Sequence, residues 1–186
     1  MKNKINIKKS TKQDSVFFYN IRNALENRKL SLNVKKIKIN VHNLWFNKNY
    51  NKNYFYTCYY SGKKVGYIRG KKKDETIEIS IAFLKNFQNK NIATTCFKYF
   101  EKKFKNNQIF IAKVKNNNKN SLNFFYRNDF NFLNKQKNYK NLYKVSSIDK
   151  NNYLKTIDKI EKIRKGNNVN WMNILRIGFK YSPRDT

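Results

Sequence analysis

The segment at residues 88–93 joins a predicted strand to a predicted helix, and this position indicates phosphate chemistry. The apolar run at residues 77–83 favours a strand, and from residue 92 to 104 the apolar side chains recur with helical spacing. The first N–H groups of a helix have no partner within the helix, and the helix dipole favours negative charge there. We therefore predict that this turn holds a pyrophosphate. The predicted contacts come from Gln88, Asn89, Lys90, Asn91, Ile92 and Ala93.

The elements that must position this turn alternate in type along the chain. A helical stripe of Phe17, Ile21 and Leu25 follows Asp14. A second helix follows Asn40, with Val41, Leu44 and Trp45 on one side. The remaining pattern predicts strands at residues 5–7, 54–60, 65–69, 76–83, 108–114, 130–133 and 141–145, with a short helix at 121–126. This order predicts an α/β fold with a mixed sheet. We predict one domain over residues 1–148 and a small helical appendage over 149–186, whose polar end is compatible with truncation.

The chain of 186 residues carries a formal net charge of +31. Such charge is typical of proteins that bind nucleic acid or an anionic membrane. However, lysines occur in nearly every block of ten residues, and asparagine is equally abundant, as an AT-rich genome would produce. We therefore disfavour a nucleic-acid partner. A positive field also suits an enzyme, because it steers anionic substrates inward.

Cysteine, histidine and hydropathy patterns limit the other classes. Cys58 and Cys96 are far apart in the sequence, and His42 is the single histidine. Neither a zinc site nor any other metal site is therefore predicted. No apolar run has a length close to the roughly 20 residues that a helix needs to span a bilayer. The N-terminus has no signal-peptide pattern, so we predict a cytoplasmic protein with no membrane partner.

The spacing Gln88-x-x-Asn91-x-Ala93 resembles the Gln/Arg-x-x-Gly-x-Gly/Ala signature of the Gcn5-related N-acetyltransferase (GNAT) superfamily. Asn91 replaces the central glycine, and asparagine tolerates a left-handed backbone. A second block, Asn118-x-x-Ser121 followed by Phe125 and Asp129-Phe130, is similar to the family's N-x-x-S-x-x-x-Y-x-x-x-G-F block. The two motifs follow in the family's order, about 30 residues apart. Asp129 stands where the family has glycine, and aspartate also accepts a positive φ.

This resemblance implies a mostly antiparallel sheet flanked by helices, acetyl-CoA as cofactor and an N-acetyltransferase activity. It implies that Ile81, Ala82 and Phe83 contact the pantetheine arm, mostly through the main chain. It also implies cofactor contacts from Asn118, Ser121 and Phe125. Ser121 is a candidate N-cap, and Asn118 is a candidate turn residue.

The acid and the base remain open between alternatives. Phe125 occupies the position where many family members have a tyrosine that protonates the departing thiolate. Tyr126 is one residue further on and would point about 100° away on a helix. Glu78 is a candidate base, since a carboxylate in an apolar strand has a raised pKa; alternatively, it faces outward and pairs with one of the many lysines. His42 is another candidate, since an imidazole titrates near neutrality; alternatively, it is a surface imidazole near a helix start. A bound-water relay would need neither residue.

The N-terminal half contains a scattered pattern of Ile21-Arg22-Asn23, Arg28, Ser31, His42, Trp45-Phe46 and Gly66-Tyr67-Ile68-Arg69. This pattern resembles the subgroup that acetylates nucleotide-linked amino sugars in pseudaminic acid synthesis. It implies an acceptor site formed by Arg22, Asn23, Trp45, Tyr67 and Arg69. Arginine forks match phosphate oxygens, and aromatic rings can stack on a base or sugar. A protein or peptide amine of the ribosomal-protein kind and a basic RNA-binding module are the alternatives. A homodimer is compatible with this interpretation.

Overall fold

Seven strands form one sheet in the order β1-β2-β3-β4-β5-β7-β6 within the described part of the chain. The computed structural model describes residues 4–88, 91–104, 108–146, 157–158 and 160–161. The strands are β1 (Ile5–Lys9), β2 (Tyr54–Tyr60), β3 (Lys63–Lys73), β4 (Thr76–Phe83), β5 (Ile109–Lys115), β6 (Asn131–Lys135) and β7 (Tyr139–Val145). The helices are α1 (Ser15–Asn23), α2 (Leu25–Lys29), α3 (Ile39–Asn49), α4 (Ile92–Glu101) and α5 (Lys119–Tyr126).

The β4–β5 pair is parallel, whereas the other neighbouring strands of the described sheet are antiparallel. The chain connects β4 to β5 through helix α4. This helical crossover allows the two strands to run in the same direction. Together with the flanking helices, this confirms the predicted α/β fold with a mixed, mostly antiparallel sheet.

Helices α4 and α5 cover one face of the sheet. Phe97 and Phe100 of α4 and Phe125 of α5 are buried in one cluster with Ile79 of β4 and Val114 of β5. Successive residues of a strand point to opposite faces of the sheet. Glu78 and Lys113, which directly precede Ile79 and Val114, therefore lie on the other face.

Helices α1 and α3 cover part of the opposite face, with a register that differs from the predicted stripes. Phe18 and Ile21 of α1 and Phe46 of α3 are buried against the sheet. Leu25 is exposed because the chain turns at Ala24 and begins a separate helix there. On α3, Val41 and Leu44 are also exposed (53% and 74%), so the predicted apolar side of this helix was wrong.

Most of the predicted appendage lies outside the described residues. Of the helix predicted there, Ile157 and Ile160 are described, and both are buried against β5, β6 and β7. Their neighbours are Ile109, Ile111, Leu133 and Tyr143. Among the described residues no helix is both long enough and apolar enough to cross a membrane.

Candidate active site

The parallel strands β4 and β5 separate halfway along their length. Their pairing runs from Thr76 opposite Ile109 to Ile79 opposite Ala112 and ends there. Strand β4 nevertheless continues to Phe83, and β5 continues to Lys115. The last residues of the two strands therefore border a V-shaped opening in the sheet.

Backbone polar groups of β4 face this opening. In an antiparallel ladder, alternate residues direct their N–H and C=O groups to opposite sides. The Leu84 N–H donates to Val65 O of β3 at 2.9 Å, so the groups of Ile81 and Phe83 point away from β3. Consistently, Gln88 Nε2 donates to Phe83 O at 3.1 Å. The opening thus presents main-chain donors and acceptors that an extended ligand could pair with.

Helix α4 begins beside the opening with a left-handed residue. Asn91 has φ 56° and ψ 0°, as the sequence predicted for the residue that replaces glycine. The Thr95 N–H donates to Asn91 O, so the N–H groups of Ile92, Ala93 and Thr94 precede the first intrahelical bond. These groups fit a pyrophosphate. Asn89 and Lys90 lie outside the described residues.

The second motif also forms a turn followed by a helix, but its cap differs from the prediction. Asn118, not Ser121, caps α5, because Asn118 Oδ1 accepts the Ser121 N–H at 3.1 Å. Asp129 has φ 64°, which confirms that the turn before Phe130 survives without glycine.

The structure does not bring Tyr126 into the site. Phe124 and Phe125 line the cavity, whereas Tyr126 is 43% exposed and does not line it. The cause is the helical rotation between consecutive residues. Among the described lining residues, the one tyrosine is Tyr67 on β3.

A cavity of about 400 Å³ extends from the opening to the face covered by α1. One half, which we call the cofactor half, is lined by Ile81, Ala82, Phe83, Gln88, Ala93, Asn118, Ser121 and Phe125. The other, which we call the acceptor half, is lined by Arg22, Tyr67, Arg69, Glu78, Ser80, Lys113, Lys115 and residues 30–33.

Two arginines of the acceptor half have unused donors. Arg22 Nη2 donates to Asn33 O at 2.6 Å, and Arg69 Nη2 donates to Ser80 Oγ at 3.0 Å. Arg22 Nη1 and Arg69 Nε are buried without a hydrogen-bond partner among the described residues. Burial lowers the pKa of Arg22, and the neighbouring positive charge of Arg69 lowers it further. Because buried donors without partners are costly, this pair favours a bound anion.

Glu78 lies on the cavity wall, but its predicted pKa shift was wrong in direction. Its Oε2 is 2.9 Å from Lys113 Nζ and 3.4 Å from Lys73 Nζ. Burial acts to raise the pKa of Glu78, but the hydrogen bond and the charge of Lys113, with that of Lys73, bring it below the ordinary value. Glu78 is therefore ionised near neutrality and paired with cations.

His42 does not line the cavity, which argues against its predicted role as a base. It is buried between α3 and α1, and its Nε2 is 2.9 Å from Ser15 O, which accepts a hydrogen bond. Burial lowers the pKa of His42. The ring is packed among Tyr19, Trp45 and Phe46, so it has the environment of a core residue.

Two residues predicted to bind the acceptor lie behind the cavity wall instead. Asn23 exchanges two hydrogen bonds with the backbone of Ile37, each of 3.0 Å, and so fixes the chain before α3. Trp45 packs under Arg69, whose guanidinium carbon is 5.1 Å from the ring centroid. Such a contact holds the guanidinium in place.

Sequence reasoning missed several lining residues, notably Ser80, Lys113, Lys115 and residues 30–33. Ser80 could have been found from strand alternation, because it lies two residues beyond Glu78 on the same face. Lys113 required the register of β4 and β5, which a sequence does not specify. Ser31 belongs to the scattered N-terminal pattern, but Leu30, Leu32 and Asn33 follow α2 without a recognisable motif.

Comparisons with known proteins agree with this geometry. The model of the acetyltransferase (GNAT) family matches residues 22–130. Among solved structures, YncA of Salmonella typhimurium, solved with its cofactor acetyl-CoA, is 14% identical with a TM-score of 0.61, over 78% of this chain and 95% of that one.

Two further structures share the fold. The ribosomal-protein-alanine N-acetyltransferase of Brucella melitensis is 17% identical with a TM-score of 0.58, over 75% of this chain and 99% of that one. The PaiA N-acetyltransferase of Thermoplasma acidophilum, in complex with coenzyme A, is 16% identical with a TM-score of 0.56, over 76% and 99% of the two chains. The curated proteins include no significant sequence match.

The family match covers more than half of the chain, and the V-shaped opening, the α4 N-terminus and the α5 cap lie within it. The chain therefore belongs to the acetyltransferase (GNAT) family. It is an N-acetyltransferase whose cofactor is acetyl-CoA.

Proposed function

We propose that this enzyme transfers the acetyl group of acetyl-CoA to the amine of a nucleotide-linked amino sugar, of the UDP-4-amino-4,6-dideoxy type used in pseudaminic acid synthesis. The observation that carries the proposal is the pair of arginines in the acceptor half. Arg22 Nη1 and Arg69 Nε need acceptors, and a diphosphate offers several oxygens to two guanidinium forks.

The charge of the cavity favours this acceptor over a peptide. Its described lining includes Arg22, Arg69, Lys113 and Lys115, against the single carboxylate of Glu78, which is already paired. The Brucella melitensis structure belongs to an enzyme whose name specifies a ribosomal-protein alanine as acceptor. A basic peptide acceptor would be repelled here, whereas an anionic sugar nucleotide would be attracted.

The cofactor half suits acetyl-CoA. The main-chain groups of Ile81 and Phe83 would pair with the amides of the pantetheine arm. The free N–H groups at the start of α4 would hold the pyrophosphate, beside the Gln88 side chain. Ser121 and Phe125 would border the arm from α5.

When bound, acetyl-CoA supplies an activated acetyl group, and the chain must supply a neutral amine beside it. The ionised Glu78 carboxylate can accept the amine proton through a bound water, because it lines the acceptor half. The Tyr67 hydroxyl lines the same half and is available as a donor. Arg22 and Arg69 would orient the acceptor, which lowers the entropic cost of bringing the reactants together.

The test is CoA release measured with a panel of amino-sugar nucleotides and basic peptides. We expect turnover of the sugar nucleotides, with KM raised about ten- to hundredfold by Arg22→Gln or Arg69→Gln, because each charge-assisted hydrogen bond contributes about 1.5–3 kcal/mol. Arg127→Gln is the matched control, since Arg127 is exposed and does not line the cavity. Turnover of peptides alone would overturn the proposed acceptor and leave the acetyltransferase assignment intact.

A further inference from the structure

Residues 29–34, which we call the acceptor loop, connect α2 to the chain before α3 and border the acceptor half. Leu30, Ser31, Leu32 and Asn33 line the cavity. After Lys29 the loop belongs to no helix or strand, although the Ser31 N–H donates to Arg28 O at 3.0 Å and Ser31 Oγ donates to Asn27 O at 2.7 Å. The side chains of Leu30, Leu32 and Val34 are exposed, so the loop has little apolar anchoring.

Two side chains hold the start of this loop, Lys115 from the acceptor half and Asn118 from the cofactor half. Lys115 Nζ donates to Lys29 O at 3.0 Å, and Asn118 Nδ2 donates to Leu30 O at 3.2 Å. Both carbonyls belong to the C-terminal end of α2, where carbonyl groups have no partner within the helix. A lysine at this end also has favourable interaction with the helix dipole.

The other end of the loop is held from α1 and α2. Arg22 Nη2 donates to Asn33 O at 2.6 Å, and Arg28 Nη1 donates to Val34 O at 3.3 Å. Arg22 is one of the two arginines with a free donor in the acceptor half. The position of the loop and the position of this guanidinium therefore depend on each other.

Asn118 uses both ends of its amide. Its Oδ1 accepts the Ser121 N–H and caps α5, while its Nδ2 holds the acceptor loop. The side chain thus connects the helix that borders the cofactor half with the loop that borders the acceptor half. Lys115 makes a parallel connection from the end of β5.

We propose that Lys115 and Asn118 are positioning residues for the acceptor: they hold the acceptor loop, and through it Arg22, against the cavity. The identity of the acceptor rests on the proposed function, but the role of the two ties does not. Loss of the Lys115 tie weakens acceptor binding and leaves cofactor binding much less affected, because Lys115 contacts the backbone of Lys29 and does not line the cofactor half.

Steady-state kinetics of Lys115→Met test the first tie. We expect KM for the acceptor to rise about tenfold, the usual effect of losing one charge-assisted hydrogen bond, while the Kd of acetyl-CoA measured by calorimetry changes less than about twofold. The control is Lys119→Met, which removes the same charge from an exposed residue of the neighbouring helix. Equal effects of both variants on acceptor KM would show that only the overall charge matters and would overturn the proposal.

Hydrogen–deuterium exchange of the free enzyme tests both ties without any acceptor. Asn118→Asp keeps an oxygen for the Ser121 N–H but loses the donor to Leu30 O. We expect faster amide exchange in residues 30–34 of Asn118→Asp and Lys115→Met, with unchanged protection of α5. Unchanged exchange in this loop would overturn the proposal even if sugar nucleotides are the acceptors. Faster exchange would support it even if they are not.

Discussion

At Glu78, burial and two neighbouring ammonium groups shift the pKa of the carboxylate in opposite directions. Burial raises the pKa of the carboxylate, and Lys113 at 2.9 Å with Lys73 at 3.4 Å lowers it. The cations dominate, so the carboxylate stays ionised through the neutral range and loses its charge only as the pH falls through its lowered pKa.

We predict that Lys113→Met raises the pKa of Glu78. Without Lys113 the charged carboxylate loses its nearest partner, while the effect of burial remains. Protonation then occurs at a higher pH, so the acid limb of the kcat/KM profile moves upward, and activity falls at acid pH but recovers toward neutral pH. The measurement is kcat/KM for the acceptor as a function of pH.

Lys71→Met is the matched control for this profile. Lys71 lies opposite Glu78 in the β3–β4 register, but the ion pairs of Glu78 are with Lys113 and Lys73. An acid limb that stays in place in Lys113→Met, or that moves equally in both variants, would mean that Glu78 does not control it.

The environments of individual side chains were harder to predict from the sequence than the backbone conformation. The residue types at Asn91 and Asp129 were sufficient to predict a positive φ, since few side chains tolerate it. Pairing of Glu78 with a lysine was one of its two predicted alternatives, but which lysine it meets could not be predicted, nor could the burial of His42, because both depend on partners distant in sequence. Lys113 reaches Glu78 only through strand pairing, and Ser15 reaches His42 only through the packing of α1 on α3.

At the scale of elements, the start of α4 combines a backbone conformation with a binding role. Asn91 adopts a left-handed conformation, and the free N–H groups follow it directly. Glycine adopts this conformation without strain, whereas a β-branched residue does not.

We predict that Asn91→Gly keeps acetyl-CoA affinity and that Asn91→Val loses it. The strain in the valine variant should lower the free energy of unfolding by about 1–2 kcal/mol and displace the N–H groups from the pyrophosphate. Denaturant unfolding measures the stability, and calorimetry with acetyl-CoA measures the affinity.

Asp129→Val separates the two effects in this comparison. Asp129 has a similar left-handed backbone, with φ 64°, but it does not line the cavity. It should lose stability and keep the Kd of acetyl-CoA. Equal losses of affinity at positions 91 and 129 would mean that general destabilisation, not the turn at α4, explains the result.

The sequence predicted where helices and strands begin and end more accurately than which side of each element is buried. Strand β4 spans the predicted residues because its apolar run is bounded by turns on both sides. Helix α3 was predicted at the correct place, but its buried residues are His42 and Phe46. Its apolar and polar residues are mixed around the helix, so the sequence pattern does not define one side.

At the scale of the whole molecule, the net charge of +31 has to be compared with the charge of the cavity. Cations line the acceptor half, and the one carboxylate among the described residues that line it is paired with two lysines. A uniform surface excess alone would not concentrate an anion at the site, but a positively lined cleft within a positive molecule focuses the field toward its opening.

We predict that kcat/KM for a sugar-nucleotide acceptor falls as salt rises from about 50 to about 300 mM, because shorter Debye lengths screen this attraction. An uncharged amine acceptor should show a much weaker dependence, since the field does not steer it. The comparison is made at saturating acetyl-CoA, so that screening of the cofactor does not contribute. If both acceptors depended on salt equally, the charge would act on the enzyme or its cofactor and not on the acceptor. If RNA instead bound tightly, with a steep salt dependence, and blocked turnover, the basic surface would be a nucleic-acid site.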